Sequence, residues 1–325
     1  MAGRSDSVAS RKSNEADIRG KADPALPRRA LPPILIIATS MTATSFCRPL
    51  LLGIGLLTAT LASAEKPAVQ VIADLPYKNS EKLSQYETER CKLDLYLPAE
   101  KKNFPTLVWL HGGGITGGSK DGVHQAGIAR HFASAGIAVA SINYRLSPKA
   151  EFPAYIEDTA AAFAWVKKHI ATHGGDAGRV FLGGHSAGAY LALMAGLDNQ
   201  YLAAQGLKLS DIAGLVPVAG QTLTHYTIRQ ERGLPKKRLI ADLAAPIHHA
   251  RKDAPPMLIL YADKDMALRA EENELLAAAL RDEGHPKVTV KKIKNRDHGS
   301  VAHNMAKPGD AGFQQVIEFI RSLDP

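Results

Sequence analysis

Gly184-His185-Ser186-Ala187-Gly188 sets a serine between two glycines, directly after the apolar run Val180-Phe181-Leu182 and before the helical text Ala187–Leu197. A G-x-S-x-G at a strand-to-helix turn is a nucleophile elbow: the sharp turn lifts the hydroxyl above a sheet, and the glycines keep Cβ atoms away from neighbouring backbone. The helix N-terminus behind the serine offers N–H groups to a developing oxyanion. The chemistry this implies is nucleophilic acyl transfer. The plainer alternative is a tight turn whose serine caps a helix.

A second signal, His111-Gly112-Gly113-Gly114, follows the apolar run Thr106–Leu110. Three successive glycines let several backbone N–H groups face one point, which an oxyanion hole requires. A phosphate-cradling loop would close on Gly-Lys-Ser/Thr, and Ile115-Thr116-Gly117-Gly118-Ser119-Lys120 does not. An elbow serine also needs an acid and then a histidine later in the chain. For the acid, the buried-looking run Leu258–Tyr261 ends in Ala262-Asp263-Lys264-Asp265; Asp265 is preferred because it lies further past the strand, with Asp263 second. For the base, His298 sits in the short loop Lys294–Gly299, where Gly299 is expected to give the backbone freedom to aim the imidazole. His303 competes but falls in or beside the next helix. His124, His131, His169, His248 and His249 read as solvated, and His185 as a residue that shapes the pocket without exchanging protons.

The elements that must carry these groups alternate. Short apolar runs at Thr106–Leu110, Ile137–Asn143, Arg179–Leu182, Leu215–Val218, Met257–Tyr261 and Lys287–Ile293 are separated by helical patterns at Ile128–Ala135, Ala154–Ile170, Ala187–Leu197, Ala270–Arg281 and Phe313–Leu323. This is the pattern of an α/β fold, a mostly parallel sheet with helices on both faces. Ahead of it, Arg90–Pro98 alternates Cys91, Leu93, Leu95 and Leu97 with Lys92, Asp94 and Tyr96, and reads as a half-exposed strand. Gln221–Lys252 is the least regular stretch, either a small cap within 221–252 over the sheet's carboxyl edge or a solvated excursion.

On these residues the chain resembles the α/β-hydrolase superfamily, and within it the esterase/lipase group that includes hormone-sensitive-lipase-like carboxylesterases and feruloyl-esterase-like enzymes. The resemblance takes in HGGG, GHSAG, Tyr144-Arg145-Leu146, Phe152-Pro153-Ala154 with Asp158, and Gly174-Gly175-Asp176, the last three as structural segments. His185 stands where hormone-sensitive-lipase relatives carry aspartate, which points toward the feruloyl-esterase-like branch. The resemblance implies the α/β-hydrolase fold and a two-step acyl transfer. Ser186 attacks an ester, His298 takes its proton, and Asp265 holds the imidazole. N–H groups of Ala187 and of Gly113 or Gly114 bind the oxyanion. It implies a small-molecule ester substrate and no metal or organic cofactor. An amidase, peptidase or formamidase on the same fold is the nearest rival, and an inactive binding homologue a further one.

Composition agrees with a globular enzyme: of 325 residues, 45% are hydrophobic and 22% charged, and two cysteines are too few to staple the fold. The net charge of +8 suggests a polyanion partner until it is located. Residues 1–64 hold half of it, and an aromatic content of 6% is thin for stacking on bases, so a nucleic-acid partner is not expected. Residues 41–64 read as a signal peptide, with Arg48 as positive flank, Leu50–Leu61 as apolar stretch and Ala62-Ser63-Ala64 as cleavage site. That stretch is about a dozen residues, short of the roughly 17–25 of a membrane span, so an exported protein without a retained anchor is expected. Residues 1–40 are aperiodic and read as an extended or mis-assigned N-terminus, with Met41 as the start. The hydrolase domain then runs over 65–325. Oligomeric state has no signature in the sequence.

Overall fold

The structure is a computed structural model that describes residues 69–99 and 101–324; the leader expected at 41–64 and the stretch before it lie outside the described residues. The strands are β1 (Val69–Pro76), β2 (Lys92–Pro98), β3 (Phe104–Leu110), β4 (Ala138–Ile142), β5 (Gly175–His185), β6 (Leu215–Val218), β7 (Met257–Lys264) and β8 (Val288–Asp297). The longer helices are α2 (Val123–Ser134), α3 (Ala154–His169), α4 (Ala187–Leu197), α7 (Arg269–Asp282) and α9 (Ala311–Ser322). Shorter ones are α1 (Gln85–Arg90), α5 (Asn199–Ala203), α6 (Tyr226–Glu231) and α8 (Ser300–His303).

The strands form one eight-stranded sheet in the order β1-β2-β4-β3-β5-β6-β7-β8, in which β2 pairs antiparallel with both neighbours and β3 through β8 are parallel. Alternate side chains of each strand feed two separate cores. Val108 and Leu110 of β3 pack on one face with α3, α4 and α7, and Leu107 and Trp109 on the other with α2 and α9. Every residue of α4 is buried, so this helix is apolar all round where most helices show a polar stripe.

One consequence of the strand order positions the site. After β3 the chain turns one way to β4, and after β5 it turns the other way to β6, so the loops that leave β3 and β5 diverge and open a crevice at their carboxyl ends. Leu110 at the end of β3 is in register with Gly184 of β5, which brings the HGGG loop beside the elbow.

One expectation needs correction. β2 is covered on both faces: Asp94 is 3% exposed and receives a 2.6 Å hydrogen bond from the ammonium of Lys120, itself buried, while Arg130 lies over the Tyr96 ring. The polar half of its alternating pattern is thus an ion pair and a cation–π contact under α2 and its preceding loop, where a solvent face was expected. The stretch 221–252, expected as either a small cap or a solvated excursion, is buried at its start and largely exposed over 232–243. It carries α6, buries Thr222, Thr224, His225 and Arg229, and is fastened by Thr222 donating to the Glu272 carbonyl (2.8 Å) and Thr227 donating to that of Gly114.

The loop after β4 is held by a buried carboxylate. Asp158 on α3 accepts both Nε and Nη2 of Arg145 and the Arg145 backbone N–H, at 2.8–3.1 Å, and also pairs with Lys78. Asp158→Ala strands two partly buried cations, and an expected loss of about 3–5 kcal/mol in unfolding free energy follows. Urea denaturation with an unchanged m-value checks it.

Candidate active site

Ser186 occupies the turn between β5 and α4 at φ 55°, ψ −115°, a conformation that a non-glycine residue holds only when its surroundings enforce it. Those surroundings are explicit. The Ser186 N–H donates to the Val218 carbonyl of β6 (2.8 Å), and its carbonyl accepts the N–H of Tyr190 (3.0 Å) in the first turn of α4. A Cβ on Gly184 would sit 2.7 Å from the Leu110 carbonyl oxygen, and one on Gly188 would run into that same oxygen. The two glycines therefore exist because β3 passes against the elbow.

His298 follows β8 directly, which runs on to Asp297 and is longer than the sequence pattern indicates. Its Nε2 lies 2.8 Å from Ser186 Oγ and its Nδ1 2.6 Å from Asp265 Oδ1. With Nδ1–H donating to the carboxylate, Nε2 is left as the acceptor for the serine hydroxyl. Asp265 receives two further hydrogen bonds, from the N–H groups of Ala262 (3.0 Å) and Met266 (2.8 Å). Burial pushes the Asp265 carboxyl up, but the hydrogen bonds from the His298 ring and these two amides outweigh it and hold the group below its ordinary value. A carboxylate depressed in the folded state adds stability above its unfolded pKa, and that contribution is lost as pH falls through the lowered value.

Asp263 is elsewhere. Its exposed carboxylate accepts the N–H groups of Asn295 and Arg296 (2.9 Å each) and ties β7 to the end of β8, away from the imidazole. Gly299 does not act as expected either. It sits at φ −79°, ψ −50°, ordinary helical backbone, so His298 is aimed by other means. One of these is His185, whose Nε2–H donates to the His298 carbonyl (2.7 Å). Burial, reinforced by the neighbouring His298 ring, pulls the His185 pKa down to about 3, which keeps this donor neutral. His303 makes no hydrogen bond to Ser186 among the described residues. It stacks on His124 with ring centroids 3.9 Å apart, and His124, exposed as expected, also lines the cavity.

The HGGG loop curls over the serine with Gly113 at φ 112° and Gly114 at φ 65°. A Cβ on Gly114 would collide with the Tyr226 hydroxyl of α6. Among the described residues, the backbone N–H groups of Gly113, Gly114 and Ala187 have no hydrogen-bond acceptor. The loop is braced by Arg90, which donates to Gly118 O (2.6 Å), Tyr144 O (2.9 Å) and His111 Nε2 (3.1 Å), and by Tyr144, which stacks on His111 at 4.4 Å. The cavity above Ser186 measures about 620 Å³ and is lined by the Gly loop, His298, Tyr226, Met266 and Arg269, with Val123 exposed at the edge. A larger depression of about 910 Å³, near Tyr77, Trp165 and His169, has neither the serine nor its partners. Among the described residues no cluster of His, Cys, Asp or Glu is arranged to hold a metal, and no helix is long and apolar enough to cross a membrane.

Sequence reasoning passed over Arg90, Tyr226 and Arg269. A basic residue opening a helix, as Arg269 opens α7, opposes the helix dipole and is the signal that could have drawn attention to it.

The BD-FAE family profile matches residues 93–212. Esterase LipQ of Mycobacterium tuberculosis is 33% identical over 174 residues, 49% of this chain and 41% of the relative. Carboxylesterase NlhH of the same organism is 35% identical over 151 residues, 46% and 43% of the two chains. The chain thus spans less than half the length of these curated relatives. Among solved structures, a truncated carbohydrate esterase from gut microbiota superposes with a TM-score of 0.65 at 22% identity, covering 80% of this chain and 98% of that one. A Pyrobaculum calidifontis esterase does so at 0.58 and 23%, covering 79% and 85%. The mostly parallel sheet with these neighbours has the α/β-hydrolase fold. Over residues 93–212 and the aligned stretches of LipQ and NlhH, the chain is similar to esterases.

Proposed function

We propose that this protein is a serine hydrolase that cleaves carboxylic esters through an acyl-enzyme. The observation that carries this reading is the unbroken chain from Ser186 Oγ to His298 Nε2 (2.8 Å) and from His298 Nδ1 to Asp265 (2.6 Å). In the first step the Ser186 oxygen bonds to the ester carbonyl carbon while its proton passes to His298 Nε2. The negative charge that develops on the carbonyl oxygen faces the free N–H groups of Gly113, Gly114 and Ala187. Collapse breaks the ester C–O bond, and the alcohol leaves with the proton from His298. Water, deprotonated by the same ring, then releases the acid and restores Ser186. Asp265 keeps the imidazole in the acceptor tautomer and stabilises its cation in both steps.

The esterase names of the relatives support ester bonds over amides. We propose that the substrate is a small-molecule ester and that the protein is exported after cleavage near Ala64. The experiment is hydrolysis of p-nitrophenyl acyl esters set against aminoacyl anilides, with fluorophosphonate labelling of the serine. Ester turnover together with labelling that Ser186→Ala abolishes is the expected result. A clear preference for the anilides, or labelling that survives the substitution, overturns it.

A further inference from the structure

Among the described residues, Arg269 is the only Lys, Arg, Asp or Glu lining the Ser186 cavity. It is 5% exposed, its Nε and Nη1 have no hydrogen-bond partner, and among the described residues it forms no ion pair with any carboxylate. The acids closest in influence, Glu272 and Asp265, are already committed, Glu272 to the N–H of Thr222 (2.9 Å) and Asp265 to His298 and two amides. The surroundings add positive charge. Arg229 of α6, 3% exposed, also has unpartnered Nε and Nη1 atoms, and Lys236 Nζ lies 4.6 Å from the centre of the Tyr226 ring. Burial, and then the charges of Arg269, Arg229 and Lys236, hold the ring of His225 well below its ordinary pKa, so it contributes no further cation.

A guanidinium stays protonated in proteins and cannot shed its charge as a buried lysine can. Buried charges are ordinarily paired, so an unpaired fork on a cavity wall is a seat for a planar anion. The local backbone is also forced. Leu268 sits at φ 67° with no side chain capping α7, a strained conformation that delivers Arg269 three residues after Met266 and four after Asp265.

We propose that Arg269, beside Tyr226, forms a subsite for a carboxylate carried by the substrate, so that the preferred esters are anionic ones, such as monoesters of dicarboxylic acids or esters of hydroxybenzoates. The proposal rests on the esterase reading of Ser186. It says which esters fit, and does not alter the chemistry at the serine.

The test compares kcat/KM within two pairs: p-nitrophenyl hydrogen glutarate against p-nitrophenyl valerate, and 4-acetoxybenzoate against its methyl ester. The wild-type protein is expected to favour the anionic member of at least one pair by about tenfold to a hundredfold, the range for a hydrogen bond to a charged group. Arg269→Met should remove that preference, mainly through KM for the anionic member of each pair, and Arg269→Lys should restore part of it. If Arg269→Met does not fold, competitive inhibition of valerate hydrolysis by free glutarate or benzoate in the wild type is the deciding measurement. Absence of anion preference in both pairs, a preference that Arg269→Met leaves intact, or a lack of inhibition in that last case overturns the subsite. Failure to hydrolyse even the neutral esters would instead refute the esterase reading.

Discussion

Ser186→Ala is expected to lower kcat for a p-nitrophenyl ester by about 10⁶-fold, and His298→Ala by a similar factor, with the double variant no worse than either alone. The non-additivity is the informative part. Oγ and Nε2 lie 2.8 Å apart and in the proposed mechanism act as one unit, so removing either partner should disable the other. Neither change should unfold the protein, because Ser186 is fixed through its backbone, by Val218 and Tyr190, and its hydroxyl contributes no other tie. Residual activity about 10³–10⁴ above the uncatalysed rate is expected from the three N–H groups of Gly113, Gly114 and Ala187. Rapid-quench or stopped-flow measurement of the nitrophenolate burst separates loss of acylation from loss of turnover. Retained burst kinetics in Ser186→Ala would remove the serine from the mechanism.

Asp265→Asn is expected to cost about 10⁴-fold in kcat, whereas Asp263→Asn should stay within about threefold of wild type. The Ala262 N–H meets one carboxylate oxygen of Asp265 and the Met266 N–H the other, so an amide at this position can accept from only one of them. It offers an N–H toward His298 Nδ1 only by reversing the imidazole tautomer, which leaves Nε2 carrying a hydrogen where the serine needs an acceptor. Asp263, by contrast, holds two backbone amides of β8, so its replacement should alter local stability and leave the reaction near normal. Full pH profiles of kcat for both variants are the measurement, and near-normal turnover in Asp265→Asn would reassign the acid.

Much of this site was legible in the residues because each part has a strong local cause. The elbow reads from glycines that a crossing strand demands at 184 and 188, and the Gly loop reads from its place one crossover unit earlier. The order serine, aspartate, histidine then narrows the search to two strand ends. Asp263 and Asp265 are separated by only one residue, and position past the strand favours Asp265, the carboxylate that lies 2.6 Å from His298 Nδ1. What escaped was non-local. β1 is an edge strand without a clean alternation, and β2 looked half polar because its partners, Lys120 and Arg130, come from remote stretches. The aim of His298 was credited to Gly299, yet the supporting contact is the His185 ring from 113 residues away. Tyr226 and Arg269 gave no motif because their importance comes only from the wall they share.

The fastening of α6 to the Gly loop, through Thr227 and the Gly114 carbonyl, has an evolutionary consequence. The groups of the proposed triad hang from strand ends, while one side of the chamber is formed by the segment between β6 and β7. Drift in that segment can exchange one clientele for another without disturbing the bond-breaking apparatus. Descendants of such a scaffold should therefore diverge in diet long before they diverge in chemistry.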